Sequence, residues 1–503
     1  MTNLYTTLMT ATPRPAEAPF AFLPDGSVMT YGDVEAGSAR YANLLGAYGV
    51  TVGDRVAVQT EKSIDMLMLY MGCVRAGAIF LPLNPAYTSG EIGYFLGDAQ
   101  PALFVCDPAQ RNALSHVAHA AGVRRIETLG VVGGSLAEAA AAQPDSFATV
   151  VRGDTDLAAI LYTSGTTGRS KGAMLSHGNL ASNALVLKDH WRFTEADVLL
   201  HALPIFHTHG LFVATNIVLA AGASMLFLPK FDPAQVVDLL PRATAMMGVP
   251  TFYIRLLQEA AFTRALTMHM RLFVSGSAPL SADIHREFAE RTGHAILERY
   301  GMTETNMNTS NPYDGERIAG TVGLPLPGVS IRIADPESGA PMPQGDVGVI
   351  EIAGPNVFQG YWRMPDKTAA EFRDGHFISG DLGFIDPHGY VSIVGRAKDL
   401  IISGGYNIYP AEVETALDEL PQVHESAIIG APHPDMGEGV VAVIVPRDPA
   451  FADTAAIQEA LTNRLARFKQ PRRIFFVDAL PKNTMGKVQK TVLREQYQRS
   501  FLD

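Results

Sequence analysis

The stretch Tyr162-Thr-Ser-Gly-Thr-Thr-Gly-Arg-Ser-Lys-Gly172 gathers the groups that hold phosphate. Gly165 and Gly168 let the backbone turn tightly and present N–H groups to phosphate oxygens. Thr163, Ser164, Thr166 and Thr167 add hydroxyl donors, and Lys171 adds a cation suited to a polyphosphate. The apolar run Ala158–Tyr162 leading into the loop reads as a buried strand. The loop is not the GxxxxGK[ST] type, because no Ser or Thr follows the lysine. A plain Gly/Ser/Thr linker would carry neither the lysine nor the strand.

Other residues carry less by themselves. Glu304 follows a Gly turn in Tyr300-Gly-Met-Thr-Glu-Thr305 and could be a surface acid. Asp381, in Ser379-Gly-Asp-Leu-Gly383, could be a turn former. Lys487 sits between a strand pattern and the last helix, where a lone lysine is ordinarily solvated. Two arginines are less ordinary. Arg299 directly precedes Tyr300, and Arg255 interrupts Phe252-Tyr-Ile-Arg-Leu-Leu257. A cation in an apolar run must find a partner or snorkel its head to water.

The elements that position these groups alternate between helix and strand. Ile64–Ala76 and Ala282–Arg291 read as helices, and Ala78–Leu81, Leu103–Cys106, Ser224–Leu228 and Leu272–Ser275 as strands. The pattern predicts an α/β chain with a large N-terminal domain of mostly parallel sheets flanked by helices. Gly130–Asp154 reads as a loose connection. After about residue 325, short runs at Val329–Ile333, Gly348–Ile352 and Tyr390–Val394 predict a small β-rich subdomain. Ala411–Leu420, Glu425–Ile429, Val440–Val445, Ala455–Ala466 and Arg473–Phe476 predict an α+β C-terminal domain. The boundary falls in Gly395-Arg-Ala-Lys-Asp399, giving domains 1–397 and 398–503.

Bulk properties narrow the function. The 503 residues carry a net charge of −12, which argues against broad attraction to nucleic acid or anionic membrane. From Leu461 to Asp503, however, ten Lys/Arg face three Asp/Glu, so one face could meet anions. Cys73 and Cys106, the only cysteines, suit a reducing compartment and read as buried small hydrophobes. There is no basic-then-apolar signal pattern at the N-terminus. The apolar stretch Met66–Leu83 is broken by Arg75, Gly72, Gly77 and Pro82 and makes a poor membrane span. The expectation is a cytoplasmic protein.

The phosphate loop resembles that of the acyl-adenylate-forming superfamily, which includes acyl-CoA and aryl-CoA ligases, adenylation domains and firefly luciferase. Further matches run in family order along nearly the whole chain. They are Gly77–Pro85, Pro204-Ile-Phe-His-Thr-His-Gly210, Tyr300–Thr305, Gly354-Pro355 through Gly360-Tyr-Trp362, Ser379–Gly383, Gly395–Asp399 and Pro481-Lys-Asn-Thr-Met-Gly-Lys487. The resemblance implies an ATP-dependent ligase that forms an acyl-adenylate and passes the acyl group to coenzyme A. It implies Mg²⁺ held by Thr163 and Glu304, whose hard oxygens suit that ion. Asp381 and Arg396 would bind ribose or phosphate. Ser275, Gly276, Ala278, Glu298, Tyr300, Gly301, Met302 and Thr303 would line the adenine slot. Lys487 would be the adenylation lysine, stabilising charge on the phosphoryl oxygens. The small domain is expected to be mobile about Lys398 and to bring Ser403, Gly404 and Gly405 to the thiol's path. Acetylation of Lys487 by a lysine acetyltransferase, reversed by a deacetylase, would switch that charge off.

The family's acyl pocket lies near Pro204–Gly210, Gly248-Val-Pro-Thr251 and the residues before Tyr300. Here it would hold His207, Ser277, Arg255 and Arg299. Two arginines suggest a second carboxylate, which a guanidinium grips as a fork. The segment Glu298–Glu304 resembles malonyl-CoA synthetases, with Arg255, Ser277 and Arg299 on the distal carboxylate. A short or aryl monocarboxylate ligase, an enzyme loading a separate carrier protein, and a non-catalytic nucleotide-binding regulator remain alternatives.

Overall fold

A computed structural model describes residues 3–163, 170–404, 406–462, 464–483 and 486–502. Two large sheets dominate. The first runs Arg125–Thr128, Leu103–Cys106, Arg55–Gln59, Ile79–Pro82, Leu157–Thr163 and Lys171–Ser176. All its pairings are parallel except the last, which closes the phosphate loop as an antiparallel hairpin. The second has nine strands. Its six central strands, from Leu297–Met302 through Leu272–Ser275, Ala245–Gly248, Val198–His201 and Ser224–Phe227 to Pro19–Phe22, pair parallel. Strands buried on both faces read as continuous apolar runs, and Leu103–Cys106 and Leu272–Ser275 are buried throughout.

The Ile64–Ala76 helix spans the residues expected of it. Ser63 caps its start by accepting the Met66 N–H, and Gly77 ends it at φ 73°. Arg75, buried inside it, gives its donors to the Glu35 and Phe147 carbonyls and to the Ser38 and Thr149 hydroxyls. Those bonds also order the expected loose connection, which contains a helix, Ser135–Ala141.

The subdomain after residue 325 is an antiparallel sheet of Ser330–Ala334, Gly348–Ala353, His376–Ile385, Phe372–Arg373 and Val391–Arg396. Its Ile333, Ile350 and Phe377 join the same apolar core as Phe80 and Leu297 of the large sheets. From Ile401 onward the chain builds a separate five-stranded sheet. The two apolar cores on its faces draw only on residues from Ile401 to Leu493. Among the described residues no helix is long and apolar enough to cross a membrane.

Candidate active site

The site lies at the carboxyl ends of the parallel strands in the nine-stranded sheet. Side chains alternate along a strand, so Arg299 and Tyr300 face opposite ways from Leu297–Met302. This divides the site into two sides, called the nucleotide side and the acyl side after the roles the family resemblance implies.

On the nucleotide side, the Tyr300 hydroxyl donates to Asp381 Oδ2 at 2.5 Å, and Arg396 Nε reaches Asp381 Oδ1 at 2.6 Å. Asp381 and Arg396 are opposite each other on adjacent antiparallel strands. Burial works against the Arg396 cation, but Asp381, Tyr300 and Glu304 outweigh it and raise its pKa. Burial, reinforced by Asp381, keeps Tyr300 protonated. Glu304 is buried with a carboxyl oxygen 3.1 Å from the Tyr361 hydroxyl oxygen, and burial pushes its pKa up. Thr163 directs its hydroxyl to the Lys171 carbonyl at 3.5 Å. Ser164, Gly165, Thr166, Thr167 and Gly168 lie outside the described residues, as does Gly405.

Glu371 is a residue sequence reasoning missed. Its carboxylate accepts from Lys171 at 2.9 Å, from Lys367 at 2.8 Å and from the Tyr361 hydroxyl at 2.7 Å. Lys171 also lies 4.0 Å from the centre of the Tyr361 ring. Tyr361 stood inside a matched motif, but nothing in the sequence tied Glu371 to it.

Ser275 and Glu298 stand at the ends of neighbouring strands, paired in register. Glu298 Oε1 accepts the Leu280 N–H, whereas Glu298 Oε2 and Ser275 Oγ have no hydrogen-bond partner among the described residues. Burial raises the Glu298 carboxyl to about 8. Gly301, Met302 and Thr303 are partly buried and continue from Tyr300 to Glu304, and Ala278 is partly buried in the turn after Ser275.

On the acyl side, Arg299 is 3% exposed, and its Nε and Nη2 have no hydrogen-bond partner among the described residues. Desolvation lowers its pKa to about 9, opposed by Tyr253 and Glu298, so it remains a cation at neutral pH. The guanidinium lies across Gly276, where a Cβ would sit 2.4 Å from its central carbon. Ser277 takes up φ 73°, a conformation unusual for a side chain, and its hydroxyl lies 3.3 Å from His209 Nδ1. His207 has its pKa lowered to about 4 by desolvation, then by Arg299 and Lys487, so its ring is neutral. His209 Nε2 and Thr208 Oγ1 are also without partners.

Lys487 enters from the C-terminal sheet's side of the chain. The adjacent Gly486 packs against Thr251, where a Cβ would lie 3.0 Å from its methyl carbon. Lys487 is exposed along its length, yet protein crowds its ammonium, and desolvation followed by Arg396 lowers its pKa. Its charge is felt by His207 and in turn feels Asp381 and Arg396, so it stands where the two sides meet.

Three expected members stand elsewhere. Arg255 is exposed on the Pro250–Gln258 helix with its guanidinium 5.3 Å from the centre of the Phe231 ring. A cation in an apolar helix can reach its exposed face in this way, and no contact between Arg255 and Arg299 occurs among the described residues. Lys398 is exposed in the single turn Ala397–Asp399. The Ser403–Gly404 turn belongs to the C-terminal sheet, where the Gly404 N–H donates to the Met436 carbonyl. Five of the ten basic residues between Leu461 and Asp503 are paired with acids earlier in the chain: Arg464, Lys469, Lys482, Lys490 and Arg494 bridge to Glu419, Glu412, Glu425, Glu414 and Asp399.

A hairpin that closes a Gly/Ser/Thr-rich loop, a buried carboxylate held by Arg396 and Tyr300, and a lysine carried on a separate C-terminal unit are what an adenylating ligase requires. The chain belongs to the AMP-binding enzyme family: the family's model matches residues 10–362, and that of the AMP-binding enzyme C-terminal domain matches 412–487. Among solved structures it is similar to MatB from Rhodopseudomonas palustris, 58% identical with 99% of each chain covered. The TM-score is 0.97 to ATP-bound MatB and 0.86 to the apo form. A feruloyl-CoA synthase of an Amycolatopsis species is 37% identical over 477 residues, 94% of each chain. A malonate–CoA ligase of Arabidopsis thaliana is 32% identical over 525 residues, covering 94% of this chain and 86% of the relative.

Proposed function

We propose that this chain is an AMP-forming malonate–CoA ligase, converting malonate, ATP and coenzyme A to malonyl-CoA, AMP and diphosphate through a malonyl-adenylate. The observation that carries the reading is Arg299, a buried guanidinium with two nitrogens lacking partners on the acyl side. An uncompensated buried charge costs several kcal/mol. A ligand carboxylate would relieve that cost, and a small diacid could place one carboxylate near Lys487 and the other at Arg299, since both cations act on His207. The likeness to MatB, a malonyl-CoA synthetase, supports the same substrate. Methylmalonate adds one methyl and is a candidate second substrate.

Lys487 would stabilise the charge that develops as the carboxylate attacks the α-phosphate. Neutral His207 would shape the pocket beside it without adding charge. Asp381 and Arg396 would hold the ribose and Lys171 the phosphates. Glu304 and Thr163 offer the hard oxygens that suit a Mg²⁺ ion, which would take the rest of its ligands from phosphate and water. When bound, that ion would neutralise phosphate charge.

The separate apolar cores support domains 1–397 and 398–503 joined at Lys398. The higher likeness to ATP-bound MatB supports the adenylate-forming arrangement for this pose. Thiol transfer would follow a rotation that withdraws Lys487 and brings in Ser403–Gly404. An acetyltransferase would reach Lys487 once that rotation frees its crowded ammonium. These properties fit a cytoplasmic enzyme.

A second reading, an aryl monocarboxylate ligase, draws on the likeness to feruloyl-CoA synthase. It leaves Arg299 without a partner. The test is AMP release with Mg²⁺ and coenzyme A across acetate, butyrate, benzoate, ferulate, malonate, methylmalonate and succinate. Malonate is expected to lead by about ten-fold in kcat/KM, or about 1.4 kcal/mol of transition-state binding. A monocarboxylate in the lead would reassign Arg299 to structure.

A further inference from the structure

We propose that Lys62 and His201 are positioning residues for the acyl-side wall: Lys62 holds one ring nitrogen of His201, and His201 holds the loop that carries His207 and His209. This rests on the acid-ligase reading above, though not on which acid is used.

Lys62 follows the Arg55–Gln59 strand of the six-stranded sheet and is 6% exposed. Its ammonium lies 2.9 Å from His201 Nδ1, 2.8 Å from the His201 carbonyl and 4.3 Å from the centre of the Phe227 ring. None of those partners is a carboxylate, so desolvation lowers its pKa strongly. Burying an ammonium in this way is costly and calls for a role.

The hydrogen-bond logic supplies one. His201 Nε2 lies 2.9 Å from the Gly210 carbonyl, which can only accept. Nε2 therefore carries the proton. Desolvation, with Lys62 close by, keeps the ring neutral, so Nδ1 must accept, and Lys62 is its donor. The Gly210 carbonyl also accepts from the Thr215 hydroxyl at 3.0 Å, within the wide π-turn His209–Thr215.

Gly210 is pressed against its own loop, since a Cβ there would lie 2.1 Å from the Pro204 carbonyl oxygen. The Pro204–Gly210 segment is therefore closed on itself. His209 reaches Ser277 at 3.3 Å, and its N–H donates to His207 Nδ1 at 3.4 Å. A continuous chain thus runs from Lys62 in one sheet through His201, Gly210 and His209 to Ser277 in the other. The charges acting on His207 are Arg299 and Lys487, not Lys62, so Lys62 works through the loop.

The test uses the full-length protein and steady-state kinetics with the acid wild type prefers. Lys62→Met and His201→Phe keep bulk and remove the relay. His201→Gln preserves it, because an amide oxygen can accept from Lys62 while the amide nitrogen donates to Gly210. The two disruptive variants are expected to raise KM for the acid about ten-fold or more while KM for ATP stays within about two-fold, with His201→Gln close to wild type. The proposal is overturned by an unchanged acid KM, by equal rises in both KM values, or by His201→Gln as impaired as His201→Phe. If His201→Phe does not fold, Lys62→Met against Lys62→Gln, which retains an N–H donor, decides in the same way. A wild-type protein that activates no acid overturns the ligase reading and this proposal together. An active wild type whose variants are unaffected overturns this proposal alone.

Discussion

The nucleotide side and the acyl side of the site solve opposite electrostatic problems. On the nucleotide side the principal charges already have protein partners: Arg396 and Tyr300 share Asp381, and Lys171 and Lys367 share Glu371. On the acyl side the guanidinium of Arg299 and the ring of His209 end in unpartnered nitrogens. A ligand must displace an internal counterion on the first side and complete a missing one on the second. Binding on the first is an exchange of ion pairs, worth little net; binding on the second removes a desolvation cost and can discriminate strongly.

The largest effect should come from the unpartnered side. Arg299→Met should lower kcat/KM for malonate about 10²-fold or more while changing that for acetate less than about three-fold. Equal losses for both acids would erase the contrast. A smaller effect should come from the exchanged side. Glu371→Gln keeps the shape and removes the counterion of Lys171, so KM for ATP should fall about three-fold while KM for the acid stays fixed. A rise in KM for ATP would mean that Glu371 positions Lys171 and does not compete for it.

The smallest effect is expected at Asp418, a crowded charge outside both sides. It accepts from Ser426 at 2.7 Å, and burial, with Glu414 and Glu425 nearby, raises its pKa to about 7. A raised carboxyl favours the proton in the folded state, so stability falls as pH climbs from the unfolded value near 4 through about 7. Asp418→Asn should leave activity unchanged and flatten that fall, adding on the order of 1 kcal/mol at pH 8 by denaturant titration. A loss of activity would give Asp418 a part in the site.

Much of this was legible in the chain because strong periodicity survives folding. Ile64–Ala76 and Leu103–Cys106 appear with the bounds their patterns suggest. Among the C-terminal strands Arg473–Phe476 also matches, whereas Glu425–Ile429 reads short: it lies within Val423–His433, a long strand paired to its neighbour apart from a register shift between Val423 and Glu425. Periodicity weakens at its polar ends, where backbone pairing takes over. Arg299 stood out because it directly precedes Tyr300 of a matched motif. Arg255 stood out as a cation in an apolar run, yet that run is a helix, and a helix has an exposed face where a cation can sit. Glu371, Lys62 and His201 gave no signal, since their importance lies in partners up to 200 residues away.

Gly276 carries a consequence for how such a pocket can change over generations. The space above it is filled by the Arg299 guanidinium, so the arginine and the bare backbone are fitted to each other. A mutation adding even a methyl at 276 would be purged unless residue 299 had already shrunk. The reverse order is open: losing Arg299 first vacates room over an unchanged glycine and lengthens the pocket toward bulkier, uncharged acids. The route from a diacid enzyme to a neutral-acid enzyme thus has a direction, and its first step is one codon at 299.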